Sequence, residues 1–164
     1  MIKYHREMVT CEEIPTKVTL SISITNCLGR CQGCHSPELR CNIGTEVTAE
    51  EIDRLMTKES GVNCFLFLGE GNDQQALINA AKYVKTKYGV KVALYSGRDS
   101  VEEVIWNTFD FVKIGRYVAE LGPLNKVTTN QRLYEVTSTE RKDITNLFWK
   151  NETEKVHTDD NKEN

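Results

Sequence analysis

The chain has 164 residues, a net charge of −3 and an isoelectric point near 5.7, which suits one compact domain and gives no electrostatic reason to expect nucleic acid or an anionic membrane as partner. No apolar run is long enough to span a bilayer, and the opening MIKYHREMVT lacks the apolar stretch of a signal peptide. A cytoplasmic protein is therefore expected. In chain order, Val18, Leu20, Ile22 and Ile24 alternate with Thr19, Ser21, Ser23 and Thr25, the period of a strand over residues 18–25. Its second face is small and hydroxylated, which suits a lumen that admits a polar ligand. A cysteine-rich loop follows. Thr48 and Glu51 fit a capping box for a helix over residues 48–59 with Ile52, Leu55 and Met56 on one stripe. Residues 64–69 form an apolar strand ending in glycine. Asn72 and Gln75 open a helix whose face carries Leu77, Ala80, Ala81, Val84 and Tyr88, and Gly89 is its natural C-cap. A strand over 91–97, a shorter helix capped by Ser100 and Glu103, and a strand over 109–115 complete the alternation. Residues 131–137 add a last strand, and 143–150 a short docking segment.

Strands alternating with helices predict an α/β fold with a mainly parallel sheet, and four such strands are too few to close an eight-stranded barrel. The expectation is a partial (β/α) barrel over residues 1–150, followed by a polar tail, 151–164, too poor in apolar residues to fold. In such sheets ligands sit at the carboxyl ends of the strands. The cysteine loop, Gly69-Glu70-Gly71, Ser96-Gly97-Arg98 and Gly115-Arg116 each follow a predicted strand, so one rim collects them.

Six cysteines is a high count for a chain in a reducing compartment, where metal binding, redox chemistry or burial is a better use of them than disulfides. Cys27, Cys31 and Cys34 lie in the run Cys-Leu-Gly-Arg-Cys-Gln-Gly-Cys, with spacing C-x3-C-x2-C. Three thiolates can hold three irons of a [4Fe-4S] cubane and leave the fourth iron open to a ligand, as a catalytic metal requires. Gly29 and Gly33 allow the loop to turn tightly with its amides toward the sulfurs, and Arg30 can offset part of the negative charge. The same run can instead hold zinc, with His35 or Cys41 as fourth ligand, in a non-catalytic zinc or electron-transfer protein. Cys64, inside an apolar strand, reads as core. Lys113 and Arg116, at a strand end, read as solvent-facing charges, with a carboxylate ligand as the alternative.

This cysteine spacing resembles that of the radical S-adenosylmethionine enzymes. The run TNCLGRCQGCHSPEL, residues 25–39, and TTNQRLY, residues 128–134, together with the short chain, most resemble the activases of anaerobic ribonucleoside-triphosphate reductase. The resemblance covers residues 14–149 and implies a fold of radical S-adenosylmethionine type. It implies a [4Fe-4S] cluster on Cys27, Cys31 and Cys34, with S-adenosyl-L-methionine as second cofactor. Backbone at Gly33, Cys34 and His35 is expected to touch the adenosine part. The family's Gly-Gly-acid segment, which meets the amino group, is altered here to Gly69-Glu70-Gly71-Asn72-Asp73, so the carboxylate role falls to Glu70 or Asp73. The implied partners are the large catalytic subunit of anaerobic ribonucleotide reductase, bearing a glycyl radical, and a one-electron donor such as flavodoxin or ferredoxin. Activation of another glycyl-radical enzyme, such as pyruvate formate-lyase, is the alternative.

Overall fold

A computed structural model describes residues 1–149; the polar tail read at 151–164 lies outside the described residues. The elements run β1 (Lys3–Thr10), β2 (Thr19–Ile24), a 3₁₀ turn (Pro37–Arg40), β3 (Thr45–Glu46), α1 (Ala49–Lys58), β4 (Cys64–Leu68), α2 (Gln74–Tyr88), β5 (Lys91–Tyr95), α3 (Glu103–Thr108), β6 (Phe111–Ile114), β7 (Arg132–Val136), β8 (Arg141–Asp143) and a final 3₁₀ turn (Thr145–Trp149). All eight strands join one sheet in the order β3-β1-β2-β4-β5-β6-β7-β8.

This corrects the expected fold class. The β2–β4, β4–β5 and β5–β6 pairings are parallel, whereas β1–β3, β1–β2, β6–β7 and β7–β8 are antiparallel. The molecule is a mixed α/β protein with an open, mostly antiparallel eight-stranded sheet and three α-helices. It is not a partial (β/α) barrel with a mainly parallel sheet of radical S-adenosylmethionine type. The physical reason lies in the connections. A parallel neighbour needs a long crossover, usually helical, and short links return the chain antiparallel. Only α1, α2 and α3 bridge successive strands of the central block. β1 turns into β2 within residues 11–18, β7 follows β6 with no helix between, and β7 turns into β8 through residues 137–140. β1 escaped the sequence because its alternation is broken by a register shift between Tyr4 and Arg6, and because Met8 and Val9 point to solvent.

The three helices cover one face of the sheet. Leu20, Ile22 and Ile24 of β2 pack there with Phe65, Phe67, Val92, Leu94 and Val112, against Ile52 and Leu55 of α1 and Leu77, Ala81 and Val84 of α2. Burying each such Leu or Val side chain contributes about 1.5–3 kcal/mol. α1 carries the expected cap, Thr48 Oγ1 accepting the Glu51 N–H at 3.1 Å. Glu51 does not close the reciprocal box, because its carboxylate accepts from Tyr4 and Arg54 instead. α2 begins one residue later than read, with Asp73 as its N-cap, and ends at Gly89 in the left-handed region as expected. Tyr88 packs its ring against the core, as read, and donates its hydroxyl to Asp53 of α1 at 2.5 Å. α3 is capped by Glu102, not Ser100, without a side-chain cap bond.

The other sheet face holds a second apolar cluster: Ile14, Cys64, Leu66, Ala93, Phe111, Leu133 and Ile144, with Leu147 and Phe148 of the final turn docked on it. Cys64 is core, as read. The hydroxyls of β2 do not line a lumen. Ser21 donates to the Met8 carbonyl at 3.1 Å, and Thr25 to the Ile43 carbonyl at 2.9 Å, so they fasten β2 to its flanking chain. Among the described residues no helix is long and apolar enough to cross a membrane.

Candidate functional site

β2, β4, β5 and β6 run parallel, so their carboxyl ends share one edge of the sheet, and the four expected loops meet there. Backbone bonds carry the ladder past the strand ends. The Gly69 N–H reaches the Tyr95 carbonyl at 2.9 Å, the Ser96 N–H the Lys113 carbonyl at 2.8 Å, and the Gly115 N–H the Arg98 carbonyl at 2.6 Å. The rim is thus held by the sheet itself.

The cysteine loop leaves β2 through Asn26, whose φ of 58° is left-handed, a conformation asparagine tolerates better than most side chains. Its base is tied to residues 39–41. The Cys27 N–H donates to the Leu39 carbonyl at 2.9 Å, the Asn26 N–H to the Cys41 carbonyl at 3.2 Å, and the Arg40 guanidinium to the Cys31 carbonyl at 3.0 Å. Beyond that base, residues 27–35 carry no helix or strand.

A cavity of about 360 Å³ lies between this loop and the next two. Its walls are Cys27, Leu28, Gly29 and Cys31 on one side, Gly69 through Gln74 on the second, and Gly97 with Arg98 on the third. The volume falls in the range of small-molecule sites. A second cavity, about 700 Å³, shares Gly29, Cys31 and Gly97 and runs past Gly33 to Arg116 and Glu120. His35 is exposed and meets the Tyr117 ring edge-on, centroids 4.6 Å apart.

The structure therefore brings Cys27, Cys31, Gly69, Glu70 and Gly71 to one cavity and Gly33 to its neighbour; Cys34 and His35 line neither cavity among the described residues. Cys34 donates its N–H to the Cys31 carbonyl at 3.3 Å. All six cysteines are free thiols, with Cys27, Cys31 and Cys34 half-buried. No three His, Cys, Asp or Glu side chains among the described residues converge as the ligands of a single metal ion would. A cubane makes a different demand, since each thiolate takes its own iron and the ligands stand apart. The donor chemistry fits such a cluster: three free thiols share one loop, and the Gly29 N–H already points at the Cys27 sulfur from 3.4 Å.

The two acids of the altered glycine segment differ in their surroundings. Asp73 Oδ1 caps α2 by accepting the Ala76 N–H at 3.0 Å, and Oδ2 takes the amino group of Met1; these contacts hold its carboxyl below the usual range. Glu70 faces the cavity and is gripped by Arg98, with Nε to Oε2 at 2.9 Å and Nη2 to Oε1 at 3.2 Å. Arg98 also meets Glu102 through Nη1 and Nη2 at 2.8 and 2.7 Å.

Lys113, read as solvent-facing, is only 9 % exposed. Its ammonium donates to Gln131 Oε1 at 2.7 Å and stands 5.3 Å from the centre of the Tyr95 ring. Burial pushes its pKa down to about 8, against the opposing charges of Cys31 and Glu13. Gln131 belongs to the segment TTNQRLY. In the same segment the Asn130 side-chain amide donates to the Arg116 carbonyl at 3.1 Å, so this stretch braces the rim from behind. Sequence reasoning placed Arg98 on the rim and singled out Lys113, but it missed their partners, Glu70 and Glu102 for the one and Gln131 for the other.

The chain matches no protein-family model, no curated protein and no solved structure.

Proposed function

We propose that this chain is a glycyl-radical-enzyme activase: it binds a [4Fe-4S] cluster on Cys27, Cys31 and Cys34, and S-adenosyl-L-methionine in the adjoining cavity. The observation that carries the reading is the cavity itself, where two cysteines of the C-x3-C-x2-C loop face the altered glycine–acid segment across about 360 Å³. The proposal rests on this site and on the resemblance of residues 25–39 and 128–134, not on the fold. Its substrate in this reading is a glycine of the large catalytic subunit of anaerobic ribonucleoside-triphosphate reductase. The location is cytoplasmic, with flavodoxin or ferredoxin as electron donor.

Held by Cys27, Cys31 and Cys34, a cluster reduced by the electron donor would supply the one-electron reduction that splits the sulfonium's carbon–sulfur bond to methionine and a 5′-deoxyadenosyl radical. The chain's own residues bind and orient. Glu70 offers an anionic oxygen to the α-ammonium group. Gly69 and Gly71 keep side chains out of the wall behind it. The second cavity, bounded by Gly33 and by Tyr117, on which His35 packs, gives the adenosine end room. Lys113 places a buried positive charge behind the cysteine loop, where added electrons raise the negative charge.

The test is anaerobic reconstitution with iron and sulfide. About four irons per chain are expected, with reductive cleavage of S-adenosylmethionine to methionine and 5′-deoxyadenosine. Cys27→Ala, Cys31→Ala and Cys34→Ala should each abolish cleavage, while Cys64→Ala, in the core, should retain it. Stoichiometric zinc with no iron in anaerobically prepared protein would overturn the reading.

A further inference from the structure

The chain has eight arginines, and five of them stand in ion pairs: Arg6 with Glu38, Arg54 with Glu51, Arg98 with Glu70 and Glu102, Arg132 with Asp143, and Arg141 with Glu103. The other three, Arg30, Arg40 and Arg116, are exposed and have no ion-pair partner among the described residues. These three also meet at Cys31. Arg30 precedes it in the chain, Arg40 donates to its carbonyl at 3.0 Å, and Arg116 lines the cavity of about 700 Å³ that Cys31 and Arg30 line too. Among the described residues, Glu120 is the only carboxylate in that wall. In a chain of net charge −3, three uncompensated cations around one cysteine reverse the sign of the local field.

We propose that Arg30, Arg40 and Arg116 form the docking surface for an acidic one-electron carrier protein, whose electron enters on the Cys31 side of the loop. The inference rests on the reading that Cys27, Cys31 and Cys34 hold a [4Fe-4S] cluster. Complexes between redox proteins are small and short-lived, so complementary charge, more than buried apolar area, brings the partners together. The patch has that character. Gln32 and Gly33, which follow Cys31, are exposed and add no apolar side chain. Leu28, the exposed apolar residue of the same loop, lines the other cavity, with Cys27 and Glu70. The loop thus turns a cationic side to one cavity and an apolar side to the other, so a carrier and a protein substrate would meet it at different places. The step balances without a proton: the carrier is oxidised by one electron and the cluster is reduced by one.

The experiment is stopped-flow reduction of the cluster-loaded full chain, followed by bleaching of the cluster's visible absorption, with S-adenosylmethionine absent. Reduced acidic flavodoxin and ferredoxin are the carriers, and photoreduced deazaflavin, a small uncharged reductant, is the control. At low ionic strength Arg30→Gln and Arg116→Gln should each slow reduction by the carriers about threefold, the scale of one exposed ion pair, and the double variant about tenfold. Arg30→Lys and Arg116→Lys should stay near wild type, because steering needs the charge and not the guanidinium fork. Wild type and double variant should converge at about 0.5 M salt, where screening removes the attraction. Reduction by deazaflavin and iron content should not move. Arg141→Gln removes the same charge near the amino-terminal end of β6, away from the cysteine loop, and should leave every rate unchanged. Unchanged carrier rates in the double variant at low salt, or an equal slowing in Arg141→Gln, would overturn the proposal. If that double variant instead binds S-adenosylmethionine or the large reductase subunit more weakly, the arginines serve the cofactor's carboxylate or the protein substrate. Wild type reduced by deazaflavin but by neither carrier would overturn this inference alone. Wild type that takes up no iron would overturn the cluster reading, and this inference with it.

Discussion

Gly71 and Lys113 show how single residues at the rim answer to the backbone and to water before they answer to a ligand. The sequence suggests that the glycines after β4 leave space for a cofactor. Their backbone gives a more immediate reason: φ is +103° at Gly69 and +65° at Gly71, a region that favours glycine. A Cβ on Gly71 would also stand 3.0 Å from Ile24 Cγ2 and 3.1 Å from the Thr25 carbonyl. Gly71→Ala is therefore expected to cost about 1–3 kcal/mol of stability in urea denaturation, whether or not ligand is present. Gly69 has more room, its nearest neighbour being the Ile24 carbonyl at 3.6 Å, but its φ strains any side chain and a β-branched one most. Gly69→Val should therefore lose stability as well as bind S-adenosylmethionine more weakly, with iron content per folded chain retained. Unchanged binding would mean that the cofactor does not use this part of the rim. Lys113 gives a pH dependence. Burial lowers its pKa from 10.5 to about 8 in the folded chain. Below pH 8 both folded and unfolded chains carry the proton, and the cost of burying the charge is present in full. Between about 8 and 10.5 the unfolded chain binds more protons, so stability rises with pH. Wild-type protein should gain stability relative to Lys113→Met across that window, measured by denaturation at a series of pH values. A difference that stays flat would mean the ammonium is not buried.

At the scale of elements, helix ends carry the clearest local signals. Asp73 caps α2 through the Ala76 N–H, and Asp73→Ala should cost about 1 kcal/mol in thermal or urea unfolding. Thr48 before α1 and Gly89 after α2 were both legible, because each signal sits within four residues of the bond it makes. The same locality explains the strands that were read correctly: β2, β4, β5 and β6 are buried and apolar enough to show their period or run. β1 was not legible, since its residues are largely exposed and its register shifts at Tyr4 and Arg6. Without β1, and with β7 reached by a helix-free return, the alternation of strands and helices suggested more parallel sheet than exists. The candidate site divides along the same line. The three cysteines and the glycine segment announce themselves by spacing. The grip of Arg98 on Glu70 does not, because the partners are 28 residues apart and only the parallel β4–β5 pairing makes them neighbours. Lys113 misled for a related reason: a lysine at a strand end reads as solvated until Gln131, from the antiparallel β7 side, is seen closing over it.

For the whole molecule, the proposed reaction requires that something close the site. The cavity lies at the edge of an open sheet, and its wall includes Leu28, an apolar side chain 77 % exposed beside Cys27. A carbon radical formed there would be quenched by solvent or buffer unless something covered it. A protein substrate meets both needs, since an inserted loop excludes water and delivers the hydrogen. Glycine suits the role, because its backbone radical is stabilised by the flanking amides and no side chain blocks the approach. Under the proposed function that protein is the large subunit of anaerobic ribonucleotide reductase. Mixing it anaerobically with reduced, cluster-loaded chain and S-adenosylmethionine should give a glycyl doublet on the large subunit by electron paramagnetic resonance, with 5′-deoxyadenosine formed alongside. Leu28→Ala separates docking from chemistry by comparison: it removes the exposed apolar contact without adding charge beside Cys27. Because Leu28 also lines the cavity, cleavage of S-adenosylmethionine by the isolated chain under chemical reduction is the control and should fall less than the doublet. The doublet should fall several-fold, on the order of the 1–2 kcal/mol that one buried apolar contact contributes at an interface. Equal loss of both signals would place Leu28 in cofactor binding instead. A doublet that appears only on pyruvate formate-lyase or another glycyl-radical enzyme would keep the reaction and replace the substrate.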